Sequence, residues 1–254
     1  METKNKIALV TGGSRGLGKN MSVALAKKGI DVILTYNSNQ NAADEAVRVI
    51  ESLGQKAAAF QLNTGNVKSF DSFIGQITEY LRKQNGSPNL DFLVNNAGTA
   101  LYAPVADVTE EQLDEIVNIH YKGVFFLTQK VLPFLNDGGA VINISSGLSR
   151  MTLPGSSVYA SMKGAVEILT RYLAKELGPR KIRANVVAPG AIETDFGGAR
   201  IRDNKELNAQ IAGYTALGRV GLPDDIGGVV AFLCTEEAYW INGQRIEVSG
   251  GQAL

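Results

Sequence analysis

Seven short runs of this chain are apolar through their middles and do not alternate with polar residues, and longer amphipathic segments separate them. The runs are Lys6 to Thr11, Asp31 to Thr35, Ala57 to Gln61, Asp91 to Asn95, Ala140 to Ser145, Arg183 to Ala188 and Arg245 to Val248. A strand with one wet face alternates, whereas an apolar run is covered on both faces, as in a parallel sheet. Parallel neighbours need long crossovers, and the spacing predicts helices to supply them over Gly18 to Lys28, Ala42 to Leu53, Ser69 to Arg82, Glu110 to Leu135, Val158 to Leu177 and Asp224 to Leu233. Thr109-Glu110-Glu111-Gln112 reads as a capping box, and Gly29, Gly54 and Gly178 sit where left-handed helix stops belong. No repeat, low-complexity tract or linker divides the 254 residues. The expected architecture is α/β: one doubly wound domain over residues 1–254 with about seven parallel strands flanked by helices.

Lys plus Arg and Asp plus Glu both number 25, so the chain has no net charge with which to attract nucleic acid or an anionic membrane, and a small-molecule partner fits better. The single cysteine, Cys234, allows no intrachain disulfide and points to a reducing compartment. With one cysteine and one histidine, His120, a Cys/His zinc site is excluded, and no catalytic metal is expected. The apolar run after Met1 to Lys6 is too short for a signal peptide, and no run is long enough to span a bilayer. The expected location is therefore cytoplasmic.

Directly after the first strand comes Thr11-Gly12-Gly13-Ser14-Arg15-Gly16-Leu17-Gly18 and then a helix. Glycines let such a turn close tightly, and the helix start offers free amides and positive potential to a phosphate. The expected cradle comprises Gly12, Ser14, Arg15, Gly16, Leu17 and Gly18. Sites for NAD usually place an acid at the end of the second strand, but here that strand runs into Tyr36, Asn37 and Ser38. The missing acid and the presence of Arg15 favour NADP(H), while NAD(H) is not excluded. The segment Gly12 to Gly16 also matches the G-x-S-x-G elbow of hydrolases, yet that reading leaves the residues below without a role.

Tyr159 and Lys163 stand four apart at the start of a predicted helix and so share a face. A phenol titrates near ~10, and bringing it near neutrality takes about 4 kcal/mol, which a close ammonium and an oxidised nicotinamide would supply together. The full set of motifs resembles the single-domain short-chain dehydrogenase/reductases, near the 3-oxoacyl-carrier-protein reductase and ketoreductase members. The matching pieces are the Thr11–Gly18 turn, Asn95-Asn96-Ala97-Gly98, Ser146 thirteen residues before Tyr159, Tyr159-x-x-x-Lys163, and Pro189-Gly190 followed by Thr194.

The resemblance implies that Tyr159 is the proton donor, that Ser146 holds the substrate oxygen, and that Lys163 binds the nicotinamide ribose and lowers the pKa of Tyr159. It also implies that Asn95, Ala97 and Gly98 support the adenosine side, and that Pro189, Gly190, Ile192 and Thr194 hold the carboxamide end. Relatives carry Asn where this chain has His120, and the expectation is that His120 takes over that residue's relay role, adding a group that titrates near ~6.5; Asn118 is the fallback. Asn63 stands where an Asp often meets adenine. The segment 193–208 is a candidate substrate loop or a solvated connector. Leu101, Tyr102, Leu148, Arg150 and Met151 are expected to line the pocket, with Arg150 or Arg200 holding an acidic substrate or remaining a surface charge. The implied reaction is ketone reduction with NADP(H), on a 3-oxoacyl thioester or small ketone; a sugar or polyol dehydrogenase and a non-catalytic dinucleotide sensor are the alternatives. A homotetramer is expected by the same analogy.

Overall fold

The computed structural model describes residues 5–254. Its strands are β1 (Ile7–Val10), β2 (Asp31–Tyr36), β3 (Ala57–Gln61), β4 (Leu90–Asn95), β5 (Leu135–Ile144), β6 (Arg183–Pro189) and β7 (Arg245–Val248). They form one all-parallel sheet in the order β3-β2-β1-β4-β5-β6-β7. The α-helices are α1 (Gly16–Lys27), α2 (Gln40–Ser52), α3 (Phe70–Asn85), α4 (Glu110–Val117), α5 (Gly123–Val131), α6 (Ser157–Glu176), α7 (Arg200–Asp203), α8 (Lys205–Gly213) and α9 (Asp224–Leu233).

The wholly apolar strands have the cause inferred for them. Alternate residues of one strand enter opposite cores: Ala8 and Val10 pack with Met21, Ile50 and Val230 from α1, α2 and α9. Ile7 and Leu9 pack with Phe73, Ile77 and Leu127 from α3 and α5. The chain moves outward from β1 in both directions, to β2 on one side and to β4 on the other. Between β1 and β4 the winding reverses, and a crevice opens there at the carboxyl ends of the strands.

The predicted helix over 110–135 is in fact interrupted. The capping box at Thr109 and Gln112 is formed, but Asn118–Lys122 is a π turn, with the Gly123 amide donating to the Asn118 carbonyl. At Gly123, where the turn ends, any Cβ would intrude on the Thr64 carbonyl, so α5 starts pressed against the loop after β3. Gly29 and Gly54 have the left-handed conformation expected of them, with φ of 79° and 86°. Gly178 does not: it opens a 3-10 turn, and the left-handed residue there is Lys181. β5 begins at Leu135, five residues before the apolar run, because Leu135 pairs with Leu90 across a bulge.

Candidate active site

The crevice is closed on one side by the turn after β1. Gly12 has φ of 62°, and a Cβ there would lie 3.0 Å from the Ala97 Cα, so the turn and the segment after β4 touch backbone to backbone. Two residues not singled out from sequence hold them together. The Asn96 side chain donates to the Thr11 and Gly12 carbonyls, and the Thr11 hydroxyl accepts from the Asn96 and Ala97 amides at 2.9 and 3.0 Å. Both residues lay inside quoted motifs, but only the fold shows that they meet. Gly12 and Gly13 donate to Thr35 on β2, which pins the turn from its other side.

A pyrophosphate suits this cradle. A Cβ on Gly18 would collide with the Gly12 carbonyl, so the first turn of α1 packs directly on the glycine turn. The Leu17 and Gly18 amides lie in the first turn of α1, where no intrahelical acceptor exists. Ser14 is buried and Arg15 exposed. Gly16 approaches Thr194 across the crevice, with 3.7 Å between its Cβ position and the Thr194 side chain. At the end of β2, Tyr36 is half-buried while Asn37 and Ser38 are exposed, and none of the three carries an acid. Asn63 turns its side-chain oxygen back to the Gly65 amide at 2.9 Å, closing a local turn. Asn95 points into the sheet, donating to Thr128 and Asn143, so its part in the site is to fix where β4 ends.

At the ends of β5 and α6 stand Ser146, Tyr159 and Lys163. The Ser146 hydroxyl lies beside the Tyr159 phenol and accepts the Leu148 amide at 3.2 Å. Lys163 is buried, donates to the Ile144 carbonyl at 2.8 Å, and lies 5.5 Å from the centre of the Tyr159 ring. Loss of solvent holds the Tyr159 phenol well above its ordinary value, opposed by the Ser146 hydroxyl. Burial pushes the Lys163 ammonium down to about 8. This differs from the lowered phenol expected from sequence: in the protein alone the ammonium is bound to a carbonyl, and dehydration outweighs its field. A phenol that keeps its proton is an acid ready for the reductive direction.

His120 reaches this group from the π turn. Its ring meets Tyr159 edge to face with centroids 5.1 Å apart. Nε2 lies 2.8 Å from the Thr99 carbonyl oxygen, and the Thr99 amide is farther, at 3.2 Å. A carbonyl only accepts, so the shorter contact places the proton on Nε2 and leaves a lone pair on Nδ1, which is buried without a partner. Burial, then the charge of Lys163, drive the imidazole down to about 3. The expectation that His120 titrates near neutrality is thereby corrected: it stands at the expected place as a permanently neutral acceptor.

Beneath Ser146 lies a polar network with no local sequence signal. Glu167 on α6 accepts from Ser145, Ser149 and Arg245 at 2.7, 2.6 and 2.8 Å. Glu247 on β7 accepts from both Arg245 and Arg150. Arg150 also donates to the Gln252 and Ala253 carbonyls, so of the two arginines considered for an acidic substrate it is already fully engaged. Gln252 in turn accepts the Ala191 amide at 2.8 Å, in the loop after Pro189. The 193–208 segment is more ordered than its composition implied, forming α7 and the start of α8. It brings Phe196 to 5.9 Å from Tyr159 between ring centres. Among the described residues no three His, Cys, Asp or Glu side chains cluster as metal ligands, and no helix is long and apolar enough to cross a membrane.

A glycine turn at a switch point, facing a proton-holding tyrosine, places the protein among the oxidoreductases built on a doubly wound sheet. It belongs to the short-chain dehydrogenase/reductase family: residues 12–253 match the family model described as enoyl-(acyl carrier protein) reductase. It is 39% identical over 248 residues to an uncharacterised oxidoreductase of Methylorubrum extorquens, covering 98% of each chain. A hydroxynaphthalene reductase-like protein of Metarhizium majus is 36% identical, with 97% of this chain and 94% of that protein covered. Among solved structures, the promiscuous reductase LugOII, which catalyses keto-reduction at C1 during lugdunomycin biosynthesis, superposes with a TM-score of 0.94 at 40% identity over 100% of both chains. The landomycin C-6 ketoreductase LanV, solved with bound NADP and rabelomycin, does so with 0.89 at 35% identity over 98% of this chain and 96% of that one.

Proposed function

We propose that the protein is an NADP(H)-preferring reductase that converts an aromatic ketone to a secondary alcohol. The observation that carries this reading is Tyr159 set between the Lys163 ammonium, 5.5 Å from its ring centre, and the Phe196 ring at 5.9 Å, with Ser146 beside it and the glycine turn opposite. When bound, the reduced nicotinamide supplies the hydride. Tyr159 gives its proton to the carbonyl oxygen, and the Ser146 hydroxyl holds that oxygen in place. Lys163 would hold the nicotinamide ribose, and the free, neutral Nδ1 of His120 would accept a hydrogen bond in the path by which Tyr159 is reprotonated. Arg15, Asn37 and Ser38 would hold the 2′-phosphate, and the lack of an acid beside them favours NADP(H). Exposed Tyr102 and Phe196 offer flat apolar faces to an aromatic ring and few partners to a polyol. The names of the relatives, a hydroxynaphthalene reductase-like protein, a reductase of keto-reduction at C1 and a C-6 ketoreductase with bound rabelomycin, support the same substrate class.

In this reading residues 1–254 act as one domain with 193–208 as its substrate loop, working as a cytoplasmic homotetramer. The test is nicotinamide absorbance loss with a tetralone, an acetoacetyl thioester and glucose, run separately with NADPH and NADH. Turnover of the tetralone with NADPH, lost in Tyr159→Phe, is expected, and Arg15→Ala is expected to raise KM for NADPH about tenfold and that for NADH little. Turnover of glucose alone would overturn the reading.

A further inference from the structure

The substrate loop builds a wall of rings that ends in a cation. Phe196 follows Tyr159 at 5.9 Å. Gly197 comes next, and the space its missing side chain leaves is taken by Tyr102, whose Cε2 would be 3.1 Å from a Cβ there. The Arg200 guanidinium then lies 4.9 Å from the centre of the Tyr102 ring. The neighbouring arginines are neutralised: Arg150 by Glu247, and Arg202 by Asp195 and Asp203 at 2.5 and 2.8 Å. Asp195 and Asp203 are thus bound to Arg202, Glu193 accepts from the Asn208 side-chain amide at 2.6 Å, and among the described residues Arg200 has no carboxylate within ion-pair distance. A ring face occupies one side of its planar fork and leaves the N–H donors along the edge.

We propose that Arg200 is the specificity-determining residue of the pocket, and that it selects an aromatic ketone bearing an acidic oxygen, carboxylate or ionised phenol, on the ring remote from the carbonyl. This rests on the ketone-reductase reading. A substrate with its carbonyl at Tyr159 and its rings along Phe196 and Tyr102 brings its far edge to Arg200, where two parallel N–H bonds match a carboxylate. Tyr102 is the positioning residue that holds the guanidinium there.

The experiment compares a tetralone carrying a ring carboxylate with its methyl ester, and a hydroxytetralone with its methyl ether. Arg200→Gln is expected to lower the acid-to-ester ratio of kcat/KM about tenfold, entirely through KM. Tyr102→Leu should do the same, while Tyr102→Phe, which keeps the ring, should restore the ratio. A parallel fall in the hydroxy-to-methoxy ratio identifies a phenolate as well as a carboxylate. Calorimetric Kd values for acid and ester on the NADPH-loaded protein give the ratio without turnover. A wild type that binds the probes but reduces none of them sinks the reductase reading. An acid-to-ester ratio that Arg200→Gln leaves unchanged, or acid and ester weakening together, sinks this one.

Discussion

The side-chain oxygen of Gln252 accepts a hydrogen bond of 2.8 Å from the Ala191 amide. Gln252 is buried, and its oxygen occupies the place that a side chain on Gly190 would take, 2.7 Å from the Cβ position. The segment after β7 therefore shapes the loop after Pro189, and through Arg150 it also reaches the loop that carries Ser146. Gln252→Ala removes an acceptor worth ~1 kcal/mol. It is expected to raise KM for NADPH about fivefold and to leave KM for the ketone nearly unchanged, as steady-state kinetics with each substrate varied in turn will read.

His120 gives a pH prediction with a definite sign. Its folded pKa, about 3, lies below the ~6.5 of an unfolded histidine. At intermediate pH the unfolded chain therefore binds the extra proton, so stability from the neutral ring is full above ~6.5 and drains away as pH falls toward 3. Urea midpoints between about pH 7 and pH 4 should fall more steeply for wild type than for His120→Asn. The chain has one histidine, so its imidazole NMR signals can be followed without assignment and should stay put from about pH 8 to pH 5. A shift with a midpoint near neutrality would refute the neutral-acceptor assignment.

Lys163 works in the opposite pH range. Burial lowers it to about 8 against ~10.4 in the unfolded chain. Between these values the unfolded state holds the proton that the folded state has lost, so stability rises with pH across that window, by up to about 3 kcal/mol. Lys163→Met should abolish the rise while removing turnover, and denaturant melts at about pH 7.5 and pH 9.5 will show whether it does.

Two glycines with opposite surroundings calibrate the packing around the site. A Cβ on Gly98 would sit 2.6 Å from His120 Cε1, against a buried ring that also touches Tyr159. Gly98→Ala should cost 1–3 kcal/mol, roughly, and reduce kcat as the imidazole is displaced. Gly75 in α3 has nothing within 4 Å of its Cβ position. Gly75→Ala should instead stabilise the protein by about 0.5–1 kcal/mol, because alanine loses less backbone entropy in a helix. Thermal melts of the two variants side by side make the comparison.

Much of this was legible because the relevant signals are local. Strands buried on both faces read as apolar runs, which is why β1, β2, β4 and β6 fall where the sequence places them. The turn from Thr11 to Gly18 and the Tyr159–Lys163 pair are likewise contiguous patterns. The interruption at 118–122 escaped notice because Ile116, His120, Val124, Leu127 and Val131, all buried, keep a spacing that an unbroken helix also satisfies. Glu167 meets Arg245, 78 positions away, and Arg150 meets Glu247, 97 away; nothing in either neighbourhood marks its partner. The burial that raises the Tyr159 phenol in the protein alone is not legible either: water exclusion is a property of the assembled site, not of a four-residue interval.

The π turn also places a spare residue between the two helices it joins. Such a turn holds one residue more than the α turn it replaces, so deleting a single position within 118–122 would let α4 and α5 close into one regular helix with Leu127, Thr128 and Val131 still on the sheet, but would draw His120 away from the Thr99 carbonyl and the Tyr159 ring. The spare residue thus serves the site and not the scaffold, whereas α4, with only Ile116 fully buried, is free to drift in sequence on its own side of the joint.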